Sequence, residues 1–125
     1  MEDLVNILKA LADTHRLRLF LELTRREMGV CEAISLLGLS QPAVSHHLKV
    51  LKQAGLIKNE KQGKIIFYYA TPEAVQLLEK ELGGFLGKIR KLLETPVKPS
   101  PLREQPDLCE FLGFKKEVCE EGEEL

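Results

Sequence analysis

The stretch SQPAVSHHLKVLKQAG, residues 40–55, decides how the chain is read. It predicts one helix with legible ends. Ser40 can cap the first turn through its hydroxyl, and Pro42 stands where a missing N–H costs nothing. Gly55 falls where a helix can turn left-handed and stop. Val44, Leu48 and Leu51 recur at helical spacing, flanked by Ala43, Val50 and Ala54, so one face is apolar. The other face carries Gln41, Ser45, His46, Lys49, Lys52 and Gln53, with hydrogen-bonding and cationic groups but no carboxylate. A solvated helix face usually mixes both signs, so this one-sided chemistry suits a polyanionic partner, with an ordinary surface helix as the plain alternative.

The flanking segments sharpen the pattern. Upstream, VCEAISLL (residues 30–37) predicts a short helix, and Gly38-Leu39-Ser40 a tight turn into the next one. A short helix, a Gly-containing turn and a helix with a polar leading edge form a helix-turn-helix arrangement. Downstream, Leu56 to Glu60 predicts a short strand, Lys61-Gln62-Gly63-Lys64 a turn, and IIFYYA (residues 65–70) a β-branched and aromatic strand. Two strands joined by a basic tip make a wing. The fold expected is therefore mainly α with a small β-hairpin, a winged helix-turn-helix.

GLSQPAVSHHLKVLKQAGLI followed by KQGKIIFYYA resembles the winged-helix repressors of the arsenic- and metal-responsive (ArsR-type) family. ALADTHRLRLFLELTRRE is similar to that family's first two helices, and EMGVCE stands where its arsenic branch carries a cysteine pair. The resemblance covers roughly residues 3 to 95 and leaves 96 to 125 outside. It implies a dimeric repressor of double-stranded operator DNA, with the first and last long helices forming the subunit contact. Of the arsenic branch's Cys-x-Cys pair, Gly29 replaces the first member and Cys31 matches the second. The zinc site that other branches place on the last helix has no counterpart, because Thr71 to Leu93 contains no histidine.

Length and composition set bounds. At 125 residues the chain is one domain by size, with room for a modest core that a partner subunit would make more secure. Neither a signal peptide nor a run of 18 apolar residues is read, and three cysteines in such a chain fit a reducing cytosol. The net charge of -1 hides a segregation. Residues 1 to 98 hold 15 Lys and Arg against 11 Asp and Glu, whereas 99 to 125 hold 3 against 8. An acidic tail follows a basic body. The division expected is 1–95 as the DNA-binding and dimerisation domain, and 96–125 as a Pro-containing linker with an acidic, Cys-bearing tail.

Taken in order, Leu4, Leu8 and Leu11, with Val5 and Ile7, mark a first helix. Asp13 caps a second running to about Glu27, in which Leu17, Phe20, Leu21 and Met28 are expected in the core and Arg16, Arg18, Arg25 and Arg26 in water. His15 reads as a surface or packing residue. Thr71-Pro72-Glu73 starts a last long helix whose stripe of Val75, Leu78, Leu82, Phe85, Ile89 and Leu92 runs to about Leu93. Gly83, Gly84 and Gly87 interrupt it, through close approach of another helix or a kink. Thr95 to Gln105, with three prolines, reads as linker, and Pro106 to Glu120 as one or two helical turns ahead of a disordered EEGEEL.

No catalytic constellation, phosphate loop or His-containing metal motif is present, so no enzyme is expected. His46 and His47 are adjacent and point about 100° apart on a helix, too divergent to clamp one ion. His46 is assigned to phosphate or a base edge and His47 to packing. The DNA-contacting set is Ser40, Gln41, Ala43, Ser45, His46 and Lys49 on the helix, with Lys61, Gln62 and Lys64 on the wing. No cofactor is required. As(III) or another thiophilic ion is the candidate inducer, with Cys31, Cys109 and Cys119 as thiolate ligands. A straight helix over 109–119 would hold its two sulfurs about 15 Å apart, so Gly113 would have to break it or the two would serve different subunits. A thiol-redox or ligand-independent regulator and a protein-interaction module remain as alternatives. The location expected is cytoplasmic, without membrane association.

Overall fold

The computed structural model describes residues 1–115 and 117–120, without the side chain of Cys119. The expected disorder of the final EEGEEL therefore falls almost wholly outside the described residues. Two compact units form, Met1–Ile89 and Arg90–Leu125.

In the first unit, α1 (Glu2–Leu11), α2 (Thr14–Leu23), α3 (Val30–Leu37) and α4 (Gln41–Gln53) precede a hairpin of β1 (Ile57–Gln62) and β2 (Ile65–Ala70). The long helix α5 (Pro72–Leu92) follows. This is the winged helix-turn-helix expected. Asp13 caps α2 by accepting the Arg16 backbone N–H at 3.0 Å, and Ser40 caps α4 by accepting that of Ala43 at 3.3 Å. Gly55 ends the α4 region at φ +80°, where a Cβ would be strained. β1 and β2 pair antiparallel from Ile57–Ala70 to Gln62–Ile65. The connection is only Gly63-Lys64, and Gly63 takes the positive φ of +65° that a two-residue hairpin turn demands at its first position.

The core of this unit comprises Ala10, Leu19, Leu23, Met28, Ala33, Leu37, Val44, Leu48, Leu51, Leu56 and Ile57. Three features depart from expectation. Leu17 and Leu21 are 53% and 64% exposed, while Leu19 and Leu23 occupy the core in their place. The α2 pattern LRLFLEL has leucines on both sides of the helix, and contact with α3 and α4 chose between them. Second, α2 stops at Leu23, four residues early, because Met28 leaves to bridge Tyr68. Its N–H donates to the Tyr68 carbonyl at 3.0 Å and its carbonyl accepts back at 2.8 Å, adding a one-residue third strand. Third, Arg16 is not in water: its side chain is 14% exposed and engages three helices.

Helix α5 runs through Gly83, Gly84 and Gly87 without a break, and nothing lies within 4 Å of where a Cβ would stand at any of them. Ala74 is its sole buried residue among those described. Its apolar face borders a groove of about 510 Å³ lined by Leu11, Leu17, Phe20, Leu21, Leu78 and Leu82, with Thr14 and Arg18 also on the lining. Val5 and Leu8 of α1, with Val75, Phe85 and Leu86 of α5, are also exposed.

The second unit has a 3-10 turn at Pro101–Arg103, where the linker was expected to be irregular, then α6 (Leu108–Phe111) and α7 (Glu117–Glu120). Ser100 Oγ accepts the Leu102 N–H at 3.1 Å. Gly113, at φ +91°, separates the two short helices, so the straight helix over 109–119 does not form. No helix among the described residues is long and apolar enough to cross a membrane.

Truncating Leu19, which is fully buried, removes a side chain from the contact of α2 with the rest of the core. Leu19→Ala should lower unfolding free energy by about 2–5 kcal/mol, read from the urea midpoint. An unchanged midpoint would contradict the core assignment.

Candidate nucleic-acid interface

Helix α4 is held from behind and open in front. Val44, Leu48 and Leu51 are at most 2% exposed and set its rotation about its own axis. Gln41, Ser45, His46, Lys49, Lys52 and Gln53 are all exposed on the side away from that core. Ala43 is half-buried next to the Ser40 cap. No acidic residue lies on the helix. On the hairpin, Lys61, Gln62 and Lys64 are exposed at and beside the turn. All nine residues expected to contact DNA thus belong to one unit, on the leading helix and the wing.

His47 differs from its neighbour. It is half-buried, and its Nδ1 lies 3.1 Å from Nη1 of Arg16 on α2. Arg16 Nε also donates to the Ala10 carbonyl at 2.7 Å, and Nη2 to that of Lys9 at 3.2 Å. Asp13 Oδ2 stands 4.0 Å from Nη1. The rings of His15 and His46 lie 5.9 and 6.1 Å from that of His47. The backbone N–H of Arg16 holds the Asp13 carboxyl below its usual value, assisted by the charges of Arg16 and His47 and opposed by partial desolvation. Burial is the chief cause of a lowered His47 pKa; Asp13 opposes it, while Arg16, His15 and His46 add to it. Sequence reasoning missed Arg16. The available signal was its place three residues after a capping Asp13, at the end of the preceding helix, where orphan carbonyls need donors.

The cysteines divide differently. Cys31 is an exposed free thiol in the first turn of α3, behind a Gly29 whose N–H donates to Glu32 Oε1 at 3.2 Å. Gly29 is buried, and a Cβ added there would meet Ile65 at 3.7 Å, an ordinary contact. Cys109, in α6 of the second unit, is buried and disulfide-bonded. The expected role of Cys119 concerns a side chain outside the described residues. Among the described residues, no three His, Cys, Asp or Glu side chains converge as a metal ion would require.

Comparison with known proteins agrees with this architecture. The pattern of the family described as "Bacterial regulatory protein, arsR family" matches residues 13–59, from the α2 cap into β1. The arsenic resistance transcriptional regulator ArsR1 of Pseudomonas putida is 38% identical over 79 residues. That match takes in 62% of this chain and 62% of the relative's own length. A crystal structure of an ArsR family transcriptional regulator superposes with a TM-score of 0.64 at 25% identity, covering 77% of this chain and 95% of that one. HlyU of Vibrio cholerae gives a TM-score of 0.54 at 35% identity, covering 63% of this chain and 90% of that one. The same protein, described as reduced, gives 0.53. These likenesses are to regulators and not to enzymes, and the chain belongs to the arsR family of bacterial regulatory proteins.

Proposed function

We propose that this chain is a transcriptional repressor that binds double-stranded operator DNA as a homodimer. The observation that carries this reading is the front of α4: Gln41, Ser45, His46 and Lys49 exposed together, with no carboxylate on the helix and a basic wing tip in the same unit. Gln41, Ser45 and His46 suit base edges in a major groove, with Ala43 small enough to sit close beside them. Ser40, Lys49, Lys61 and Lys64 suit phosphate, and Gln62 extends the wing's polar contact. Residues 1–95 then form the DNA-binding and dimerisation domain, with 96–125 as linker and acidic tail. A cytoplasmic location follows from operator binding in a bacterial family.

The homodimer is supported by unpartnered apolar surface. Helix α5 leaves Val75, Phe85 and Leu86 exposed, α1 leaves Val5 and Leu8, and the groove between α2 and α5 is lined by further apolar side chains. A second copy related by a two-fold axis covers such a band with the least new surface. It also sets two α4 helices facing successive major grooves, so the operator should be an inverted repeat with half-sites about one or two helical turns apart.

The inducer we infer to be a thiophilic metalloid or metal ion, of which As(III) is the type, taken up at Cys31. What supports this is an exposed thiol in the first turn of α3, the helix that leads through Gly38-Leu39-Ser40 into α4. Relatives named for arsenic and cadmium resistance point the same way. The donor set is incomplete as it stands. The disulfide at Cys109 would have to be reduced before Cys109 could join Cys31 as a thiolate ligand, with Cys119 as the third donor expected from the sequence. That same disulfide favours a second reading, in which thiol oxidation replaces the ion as the signal.

Lys64→Ala should weaken binding to all duplexes alike and reduce the slope of log affinity against log salt by about one, measured by fluorescence anisotropy. Equal affinity for an operator and a scrambled duplex in moderate salt would sink the repressor reading. Leu8→Glu should shift the protein to monomer in sedimentation and abolish operator binding without touching DNA, since a carboxylate buried in an apolar contact costs several kcal/mol. A monomer that binds as tightly as the parent would refute the dimer. Cys31→Ser should keep fold and DNA affinity but lose release by arsenite under reducing conditions. If release persists, Cys31 is not the inducer site; release by a mild oxidant alone, abolished in Cys109→Ser, would establish the redox reading instead.

A further inference from the structure

Between α1 and α2 the chain turns in two residues, leaving the carbonyls of Lys9 and Ala10 at the end of α1 with no helical donors. Arg16 fills that gap with Nε and Nη2, at 2.7 and 3.2 Å. Its remaining arm reaches across to α4 and meets His47 Nδ1 at 3.1 Å. One planar guanidinium therefore joins the end of the first helix, the start of the second and the middle of the fourth. The site is half-buried, with the Arg16 side chain 14% exposed and Asp13 Oδ2 at 4.0 Å from its Nη1. A fork of five fixed donors is suited to three acceptors at once, which a lysine ammonium on a flexible stem is not.

His47 sits one residue from His46 on the exposed face of α4 and one residue from the buried Leu48. A tie at His47 consequently acts on the rotation of α4 about its axis, and so on where Ser45, His46 and Lys49 point. We propose that Arg16 and His47 are positioning residues for DNA recognition, through which the placement of α1 in the subunit contact sets the attitude of the DNA-reading face. This rests on the operator-binding dimer proposed above and adds the connection between its two surfaces.

The hydrogen bond has a protonation requirement. Nδ1 accepts from Arg16 only when it carries no proton, so the neutral ring must hold its hydrogen on Nε2. An imidazolium would present N–H to N–H and bring a second cation against the guanidinium. The groups facing His47 are Asp13 at the cap of α2, His15 and Arg16 from α2 and His46 from its own helix; the Lys9 and Ala10 carbonyls of α1 act on it through Arg16. Burial keeps the folded pKa below the ordinary 6.5, so the unfolded chain takes the proton first. The stability that depends on neutral His47 is thus complete above 6.5 and is lost as pH falls through the lower folded value, where the tie itself breaks.

The probe is the duplex that the purified 125-residue protein enriches from random-sequence DNA, compared with a scrambled duplex of the same length. Arg16→Gln should lose about tenfold of the discrimination between the two, with dimerisation and affinity for the scrambled duplex unchanged. His47→Asn places an amide oxygen where Nδ1 stood and cannot be protonated. It should keep the parent's discrimination at pH about 7.5 and remove the parent's decline toward pH about 5.5. Nitrogen NMR of the DNA-free parent should find His47 with Nδ1 unprotonated at neutral pH, a readout that holds even if Arg16→Gln fails to fold. Undiminished discrimination in a folded, dimeric Arg16→Gln would overturn the proposal, as would a parent-like pH decline in His47→Asn or a proton on Nδ1. If no duplex is enriched, the DNA-binding reading falls and this inference falls with it.

Discussion

Burial of Val44, Leu48 and Leu51 is the contact on which the rest of this structure depends. Each is at most 2% exposed, and together they meet Leu19 and Leu23 from α2, Ala33 and Leu37 from α3, and Leu56 and Ile57 from the start of the wing. A helix buried along one stripe has no freedom to roll. Its opposite stripe is then presented to solvent at a defined angle, and here that stripe has no carboxylate. The hydrophobic effect, which is indifferent to direction by itself, becomes directional through the 3.6-residue repeat.

Two further devices hold that angle. Ser40 and Asp13 supply side-chain acceptors at the starts of α4 and α2, closing helix ends that border the turn and the α1–α2 corner. Met28 and Tyr68 exchange backbone hydrogen bonds at 3.0 and 2.8 Å, which fastens the wing to the segment between α2 and α3. The wing is therefore tied at both the α4 side and the α3 side. Its tip, free of such ties, carries the exposed Lys61, Gln62 and Lys64.

Helix α5 shows the opposite condition. Over 21 residues it buries only Ala74 among those described, yet keeps an apolar face and tolerates three glycines with open space around them. Each glycine costs roughly 1 kcal/mol relative to alanine in a helix interior. The smooth helix surface they leave is the one the proposed second copy would pack against. The acidic second unit has its own local structure, organised by Ser100, Gly113 and the disulfide-bonded Cys109.

The winged-helix order was legible from residues 30–70 because each local signal agreed with its neighbours. Ser40, Pro42 and Gly55 bounded α4, its stripe matched the helical repeat, and the Gly63 turn separated a β-branched strand from its partner. The polar front of α4 was legible for the same reason, since a single face without acid is a property of spacing alone. Tertiary structure decided what local pattern left degenerate. In LRLFLEL the leucines lie on both sides of α2, and only packing against α3 and α4 selected Leu19 and Leu23 over Leu17 and Leu21. A one-residue bridge at Met28 has no strand run to announce it. Arg16, among four arginines on one helix, looks like a solvated charge until α1 and α4 bring the Lys9 and Ala10 carbonyls and His47 within its reach. Contacts separated by up to 31 residues follow from how helices cross, and periodicity along one helix does not encode that.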